Sequence, residues 1–552
     1  MRSIIPQQWQ RIDDDSDSEG ISKKKAPLFS TMKSTVVSFL CGALFASVTL
    51  ASSAWSKSPQ NIAKLYEAAR PNVSPIAPPV ERISEPVSRV TGKKFKYYNR
   101  NTKQFWVNGT AGAIPDVHFD ISESYAGLLP ISKNKTESRK LYFWFFPSTG
   151  GKETQDDLVI WLNGGPGCSS LEGLLQENGP FTWQYGTYLP VKNEYTWLNL
   201  TNMLWVDQPV GTGFSQGVPN IRNQEDLAEQ FLGFMKNFVD KFGLHGKRIW
   251  LTGESYAGKY IPYIADAMYA KKDTRSFNLK GTMLYDPSID DDLFLEEIPA
   301  VPFLLRNSNI FSLPDSTVAK LKSEADRCGY TDLYNLGLTF PSPGGLNTTY
   351  VDTSCSLWND IFNEVLKVNP CFNIYHIMTT CPNLWDVLGF PGSFGYLPKG
   401  AKIYFDRPEV QKAINAPRMK WEECSSRDVF PHDDTSPSPV PAGVLSRVVE
   451  KSERTVIAHG LMDYVLIADG TLLSLNNMVW NGARGFSERP ARKFVVPYAQ
   501  QGEMGTWIEE RGLTYIEVKL SGHMVPQYQP GAAYRHLEYL LGRVKDLSSD
   551  QL

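Results

Sequence analysis

The pentapeptide ESYAG occurs twice, at residues 123–127 and 254–258, so two serines, Ser124 and Ser255, compete for the role of nucleophile. Their surroundings separate them. Ser255 follows the apolar run RIWLT and Gly253, and precedes Ala257, Gly258 and the helix-period segment KYIPYIADAMYAKK. Strand, tight turn and helix make a nucleophile elbow, in which the serine backbone is strained and the residues two before and two after must be small. Gly253 and Ala257 meet that requirement, although alanine stands where the strict G-x-S-x-G form has glycine. Ser124, in FDISESYAGLLPIS, is followed by Pro130 and a polar loop and reads as an ordinary strand or turn serine.

A serine hydroxyl attacks poorly unless a base takes its proton and an acid orients that base. Ligands of open α/β sheets gather at the carboxyl ends of strands, so the base and acid are sought just past later apolar runs. TYIEVKL leads into SGHMVP and so to His523; TVIAHG leads into LMD and so to Asp463. The chain order Ser, Asp, His is that of the α/β-hydrolases. Asp469 is the alternative acid, but it stands just before GTLLSLNNMVW, where a helix N-cap role is more natural. His118, His245, His376, His432, His459 and His536 read as structural. After LVIWL comes NGGPGCSS, whose glycines let a backbone N–H approach a substrate oxygen closely. With the N–H of Tyr256 this loop would supply an oxyanion hole. The chain has no G-K-[ST] ending and no GxGxxG, so nucleotide binding has no support.

These residues need elements to hold them. LYFWFFP, LVIWLNGG, NMLWVDQP, RIWLTG, TVIAHG and TYIEVKLSG are short apolar runs bounded by Gly, Pro or Asn, as strands buried on both faces are. Helix-period segments such as EDLAEQFLGFMKNFVDKF lie between them, which predicts an α/β fold with a central, mostly parallel sheet. Between about 290 and 440 the alternation lapses, and that stretch holds five cysteines. The expected organisation is a core in two parts, 101–289 and 441–545, interrupted by a disulfide-stapled cap insertion at 290–440.

The 552 residues, 42% hydrophobic, are ample for a large core, and a net charge of −3 gives a nucleic-acid partner no support. Residues 1–31 are polar and read as a disordered extension. Residues 32–54 read as a signal peptide: Lys33, then the apolar run from Val36 to Leu50, then small residues. The run is short of the ~20 apolar residues that span a bilayer. Cleavage is favoured over a signal anchor, leaving no stable membrane anchor. Residues 55–100, rich in Pro and Ser, read as a linker or propeptide. Cys41 would leave with the signal, and the six remaining cysteines suggest three disulfides, with 15 possible connectivities. No cluster has zinc spacing, and neither metal nor cofactor is expected. Sequons at Asn72, Asn108, Asn134, Asn199 and Asn347 are candidate glycosylation sites.

WLNGGPGCSS (161–170), GESYAGKY (253–260), HGLMDYVLIADGT (459–471) and SGHMVP (521–526) together resemble the signature blocks of the serine carboxypeptidases. These are secretory or vacuolar α/β-hydrolases that remove C-terminal residues from peptides. LEGLLQENGP and LNNMVWNG are more similar to the fungal secreted members than to the plant ones. The resemblance implies a triad of Ser255, Asp463 and His523 and an oxyanion hole of the Gly165 and Tyr256 N–H groups. It implies a substrate-carboxylate site of Asn163, the Gly164 backbone, Glu177 and Glu254, with Trp161 alongside. Glu172, Gln176 and Met524 would line the pocket for the departing residue, where an acid and an amide hint at Lys or Arg; the alternative is that Glu172 points to solvent. It implies Cys168 paired with Cys424, and the other four nested, Cys328 with Cys381 and Cys355 with Cys371. Two close carboxyls share one proton, so a protonated Glu177 or Glu254 could donate to a substrate carboxylate, which predicts activity at acidic pH. The rivals are an esterase or acyltransferase on the same fold, and a non-catalytic binding protein. The expected partners are peptide or protein C-termini, and the expected location is extracellular or vacuolar.

Overall fold

The computed structural model describes residues 95–382, 384–389 and 402–551. The extension, the signal peptide with Cys41, the sequon at Asn72 and nearly all of the 55–100 linker lie outside the described residues.

Eleven strands form one sheet. In chain order they are β1 (Trp106–Val107), β2 (Ser124–Pro130), β3 (Lys140–Phe146), β4 (Asp157–Leu162), β5 (Asn202–Asp207), β6 (Arg248–Glu254), β7 (Leu279–Tyr285), β8 (Arg454–Gly460), β9 (Arg492–Val496), β10 (Gly502–Glu510) and β11 (Leu513–Val518). Across the sheet the order is β1-β2-β3-β5-β4-β6-β7-β8-β11-β10-β9. The six strands from β5 to β11 in that order pair parallel, and antiparallel pairs flank them on both sides. Every apolar run singled out in the sequence is one of these strands. β7 was not among them, because Lys280, Gly281 and Thr282 interrupt its apolar character.

Alternation along β3 shows how the faces fill. Leu141, Phe143 and Phe145 enter one core with Phe231, Phe234, Phe238 and Phe242, while Tyr142, Trp144 and Phe146 enter the other. Phe143 and Phe238 meet edge-on at 5.4 Å between ring centroids. Each such buried ring contributes about 1.5–3 kcal/mol. The partner rings belong to α1 (Gln224–Phe242), whose start is capped by Asn223 accepting from the Asp226 N–H at 2.8 Å. Gly243 ends it at φ 68°, the left-handed C-terminal stop that glycine makes without strain.

No strand of the sheet falls between Tyr285 and Arg454 among the described residues. Helices α3 (Ile298–Arg306), α4 (Asp315–Cys328), α5 (Tyr330–Gly337) and α6 (Leu357–Val368) occupy part of that interval; α2 (Ala257–Lys271) follows the elbow. The insertion has its own core, which closes on Tyr464, the residue after Asp463. Trp358 stacks on Tyr464 at 5.0 Å, and its indole N–H donates to the Tyr464 carbonyl at 2.6 Å.

Cys168 bonds to Cys424 as the resemblance implied. The nested pairing of the other four is corrected: the bonds are Cys328–Cys355 and Cys371–Cys381. Cys328 ends α4, and the Asp352 N–H donates to the Cys328 carbonyl at 3.0 Å, which returns the chain to that spot in time for Cys355. The 12 residues of α6 then carry the chain about 18 Å away, so Cys371 meets the nearby Cys381 instead. Asp469 is not an N-cap. It lies in the first turn of α7 (Ala468–Asn477), whose cap position is Ile467, and it pairs with Arg306 and Tyr334.

Candidate active site

Ser255 sits between β6 and α2 at φ 59°, a left-handed backbone that a non-glycine residue adopts only at a cost of about 1–3 kcal/mol. The surrounding bonds hold it there: its N–H donates to the Tyr285 carbonyl at 3.1 Å, and its carbonyl accepts from Gly258 at 2.8 Å and Ser288 at 2.9 Å. A Cβ at Gly253 would lie 2.2 Å from the Leu162 carbonyl oxygen, so only glycine fits at that place in the elbow. Ser124, by contrast, opens β2 and is buried away from any such turn.

His523 and Asp463 come from different strand ends and meet: Nδ1 lies 2.7 Å from Asp463 Oδ2, both side chains buried. Asp463 Oδ1 accepts from the N–H groups of Val465 at 2.8 Å and Leu466 at 3.4 Å. Burial would raise the Asp463 pKa, but His523 and His459 outweigh it and hold the carboxyl below its usual range. Burial pulls His523 down, and the Asp463 charge more than restores it, leaving the imidazole above its usual value. His523 Nε2 has no hydrogen-bond partner among the described residues, Ser255 included. The base thus keeps a free nitrogen, and apo catalytic hydrogen bonds commonly tighten only with substrate.

The loop after β4 packs directly on the elbow. A Cβ at Gly164 would fall 2.5 Å from the Tyr256 nitrogen and 2.7 Å from the Ser255 Cβ. Glycine there lets the loop backbone approach, and among the described residues neither the Gly165 nor the Tyr256 N–H donates to a protein acceptor.

Beside the elbow, Asn163 organises a carboxyl cluster. Its Oδ1 accepts from the Trp161 indole at 2.8 Å and the Gly173 N–H at 3.2 Å, which fixes the NH2 on the other side. That NH2 donates to Glu254 at 2.9 Å, to Glu177 at 3.5 Å and to Glu172. One carboxyl oxygen from each of the three acids falls within 4.8 Å of the other two. Three carboxylates could in principle hold a cation, but Asn163 brings a donor into this cluster, where a cation would want acceptors. Burial is the main cause of raised pKa values here: with the repulsion of neighbouring acids it holds Glu172 and Glu177 well above the usual range, and against the offsetting pull of His523 and of bonds to Glu177 and Asn163 it pushes Glu254 up to about 7.

Glu172 is therefore not a solvent-facing residue; it is 4% exposed. Gln176 donates to Asp386 at 2.6 Å and accepts from Gln527 at 3.3 Å, and Met524 is buried nearby in the chain to His523. Sequence reasoning missed Asp286, Asp386 and Glu423; His459, read there as structural, is hydrogen-bonded to the Thr471 hydroxyl and the Leu466 carbonyl. Glu423 is 4% exposed, and among the described residues neither of its oxygens has a hydrogen-bond partner. Burial and the charges of Asp386, Glu172 and Glu254 push its carboxyl well above the usual range.

The parallel sheet, the elbow and the His–Asp pair at its carboxyl edge define a serine hydrolase of α/β-hydrolase architecture. The sequence profile of the serine carboxypeptidase family matches residues 115–543. A probable serine carboxypeptidase of Arthroderma benhamiae is 52% identical over 515 residues, covering 89% of this chain and 95% of the relative. Serine-type carboxypeptidase F of Aspergillus niger is 46% identical over 486 residues, covering 82% and 90%. Among solved structures, the Saccharomyces cerevisiae prohormone-processing carboxypeptidase superposes with a TM-score of 0.62 at 22% identity, over 81% of this chain and 98% of that one, a likeness of fold. The chain belongs to the serine carboxypeptidase family, and it is an enzyme that acts on peptides. No helix among the described residues is long and apolar enough to cross a membrane.

Proposed function

We propose that Ser255 attacks the C-terminal peptide bond, His523 takes its proton and Asp463 orients the imidazole, with the oxyanion received by the Gly165 and Tyr256 N–H groups. The acyl-enzyme then yields to water. The substrate's free carboxylate would be held by Asn163, the Gly164 backbone, Glu177 and Glu254, beside Trp161. The observation that supports this over an esterase is the pinned Asn163 amide facing three protonation-prone carboxyls. A protonated acid donates to a carboxylate, whereas an ionised one repels it, so the reading predicts a peptidase favoured at acidic pH. KM for a blocked dipeptide should rise between pH 5 and 8 while KM for the matching ester, which lacks the carboxylate, changes little. A parallel rise for both substrates would sink the role of the carboxyls.

The buried acids Glu172 and Glu423, together with Gln176, Gln527 and Met524, favour a Lys or Arg side chain as the departing residue. Such a side chain would give the Glu423 oxygens the hydrogen-bond donors they lack among the described residues. Hydrolysis of peptides ending in Arg and in Leu should show an Arg preference that falls in Glu172→Ala; an unchanged ratio dismisses Glu172 from the pocket.

A cleaved signal at 32–54, the sequons and the disulfides support passage through the secretory route, with the insertion at 290–440 as a cap on the site. Asn108, Asn134 and Asn347 are exposed, and each accepts from the N–H two residues on, whereas Asn199 is half-buried. N-terminal sequencing and glycan mapping of material released by the cell test this; retention of residues 1–54 would refute cleavage.

A further inference from the structure

Close to Asp463 lies a carboxyl that the chemistry above does not use. Asp286 follows β7 directly and is fully buried. Its N–H donates to the Ala458 carbonyl at 3.0 Å, and its Oδ1 accepts from the Gly460 N–H at 2.8 Å, so both ends are tied to β8. One oxygen of Asp286, one of Asp463 and one ring nitrogen of His523 lie within 4.8 Å of each other. Two buried carboxyls this close cannot both ionise cheaply, which favours a proton on one of them.

Donor counting places that proton. Asp463 receives two backbone N–H groups and the His523 imidazole, all of which favour the anion. Asp286 receives one N–H on Oδ1, and its Oδ2 meets no N–H or hydroxyl donor among the described residues. His459 is the basic side chain nearest to hand, with Nε2 at 3.3 Å from Asp286 Oδ1 and 3.6 Å from Asp463 Oδ2. Nε2 lies 2.7 Å from the Leu466 carbonyl, which accepts from it, and Nδ1 lies 3.1 Å from the Thr471 hydroxyl. Both ring nitrogens of His459 are thus engaged by Leu466 and Thr471. The other groups acting on Asp286 are Glu254 at the end of β6, His523 after β11, and the phenols of Tyr285 and Tyr515. Burial, and then the Asp463 charge, push Asp286 well above the usual carboxyl range.

We propose that Asp286 is a positioning residue for Asp463: the two carboxyls share one proton, carried by Asp286 and donated to Asp463, which keeps Asp463 ionised and aimed at His523. This rests on reading Asp463 and His523 as members of the triad. A neutral donor spreads the Asp463 charge between two partners, which moderates the basicity of the imidazole without adding a second negative charge to the site.

The test uses the full-length enzyme and a blocked ester, so that the carboxylate site plays no part. Asp286→Ala is expected to cut kcat/KM by about 30-fold and to move the acid limb of the pH profile upward by about one pH unit, because Asp463 loses a donor and holds His523 more strongly protonated. Asp286→Asn, whose amide donates where the acid did, is expected to recover activity to within about threefold of wild type and to restore the acid limb. If Asp286→Asn is as impaired as Asp286→Ala, Asp286 works as an anion and the proposal is overturned; so it is if Asp286→Ala keeps the wild-type profile. Should the alanine variant fail to fold, the asparagine variant alone decides on the same limits. Fluorophosphonate labelling of wild type separates the two readings: no label at Ser255 overturns the triad, whereas a labelled wild type with a failed Asp286→Asn overturns only the shared proton.

Discussion

Three carboxyl groups around one amide are unstable as three anions, and that instability is the useful property of Glu172, Glu177 and Glu254. With Glu254 pushed to about 7 and Glu177 higher than the ordinary range, protons are present at acidic pH and leave as pH rises. Glu177→Gln replaces a donor that titrates with one that does not. Its KM for a blocked dipeptide should match wild type within about twofold at pH 4.5 and be roughly fivefold or more lower than wild type at pH 7.5, where wild type has lost the donor. Wild-type pH dependence in the variant would mean that Glu177 does not touch the substrate carboxylate. Residues of this kind were only partly legible. Ser255, Asp463 and His523 announced themselves by standing just past apolar runs. Asp286 obeys the same rule, but Lys280, Gly281 and Thr282 break the apolar run of its strand and hide it. The burial of Glu172 had no sequence signal at all, since an isolated acid on a short helix is exposed by default.

The loop between β4 and the six-residue helix Leu171–Gln176 shows what the insertion does for the sheet. Cys168 and Cys424, 256 residues apart in sequence, bridge it; the Ser169 N–H donates to the Glu423 carbonyl at 2.7 Å, and the Ser425 N–H donates to the Gly167 carbonyl at 2.9 Å. The segment that would carry the oxyanion donor is thus strapped from outside as well as from β4. Removing the strap with Cys168→Ser and Cys424→Ser together should slow fluorophosphonate labelling of Ser255 about tenfold or more, because a misplaced donor costs transition-state stabilisation. Removing Cys328 and Cys355 should leave labelling within about twofold while lowering the thermal midpoint, since that bond closes a short loop within the insertion. Equal labelling in both double variants would show that the strap is irrelevant to the loop. Periodicity made the buried strands legible because both faces of a parallel strand are apolar. It could not order the cysteines of the insertion, because their pairing depends on where Gly329 and α6 send the chain, which is a matter of three-dimensional path.

At the scale of the molecule, buried acids outweigh the rest of the pH balance. Burial pushes Glu296 up to about 9, Glu254 to about 7, and Asp207 and Asp290 to about 6, and it raises Glu172, Glu177, Asp286 and Glu423 as well. In the unfolded chain such groups lose their protons near pH 4 to 4.5. From there up to the native values the folded state holds more protons than the unfolded one, so raising the pH favours unfolding. Other carboxyls act in the opposite sense: Arg139 holds Glu137 down to about 2, Lys420 does the same for Glu422, and bonds from Ser354 and Arg327 do so for Asp352, so their contribution is lost only as pH falls from about 4.5 toward 2. The thermal midpoint should therefore peak near pH 4.5 to 5 and fall by about 5 °C or more on the way to pH 8. Glu296 is the sharpest probe, because the influences that raise it are burial and the neighbouring Asp292, Glu297 and Asp463 charges, with no bond to offset them. Glu296→Gln should leave the midpoint at pH 4.5 nearly unchanged and raise it relative to wild type at pH 8, flattening the curve. A midpoint that climbs from pH 5 to 8, or a variant whose curve runs parallel to wild type, would show that these carboxyls ionise in the folded enzyme as easily as they do in water.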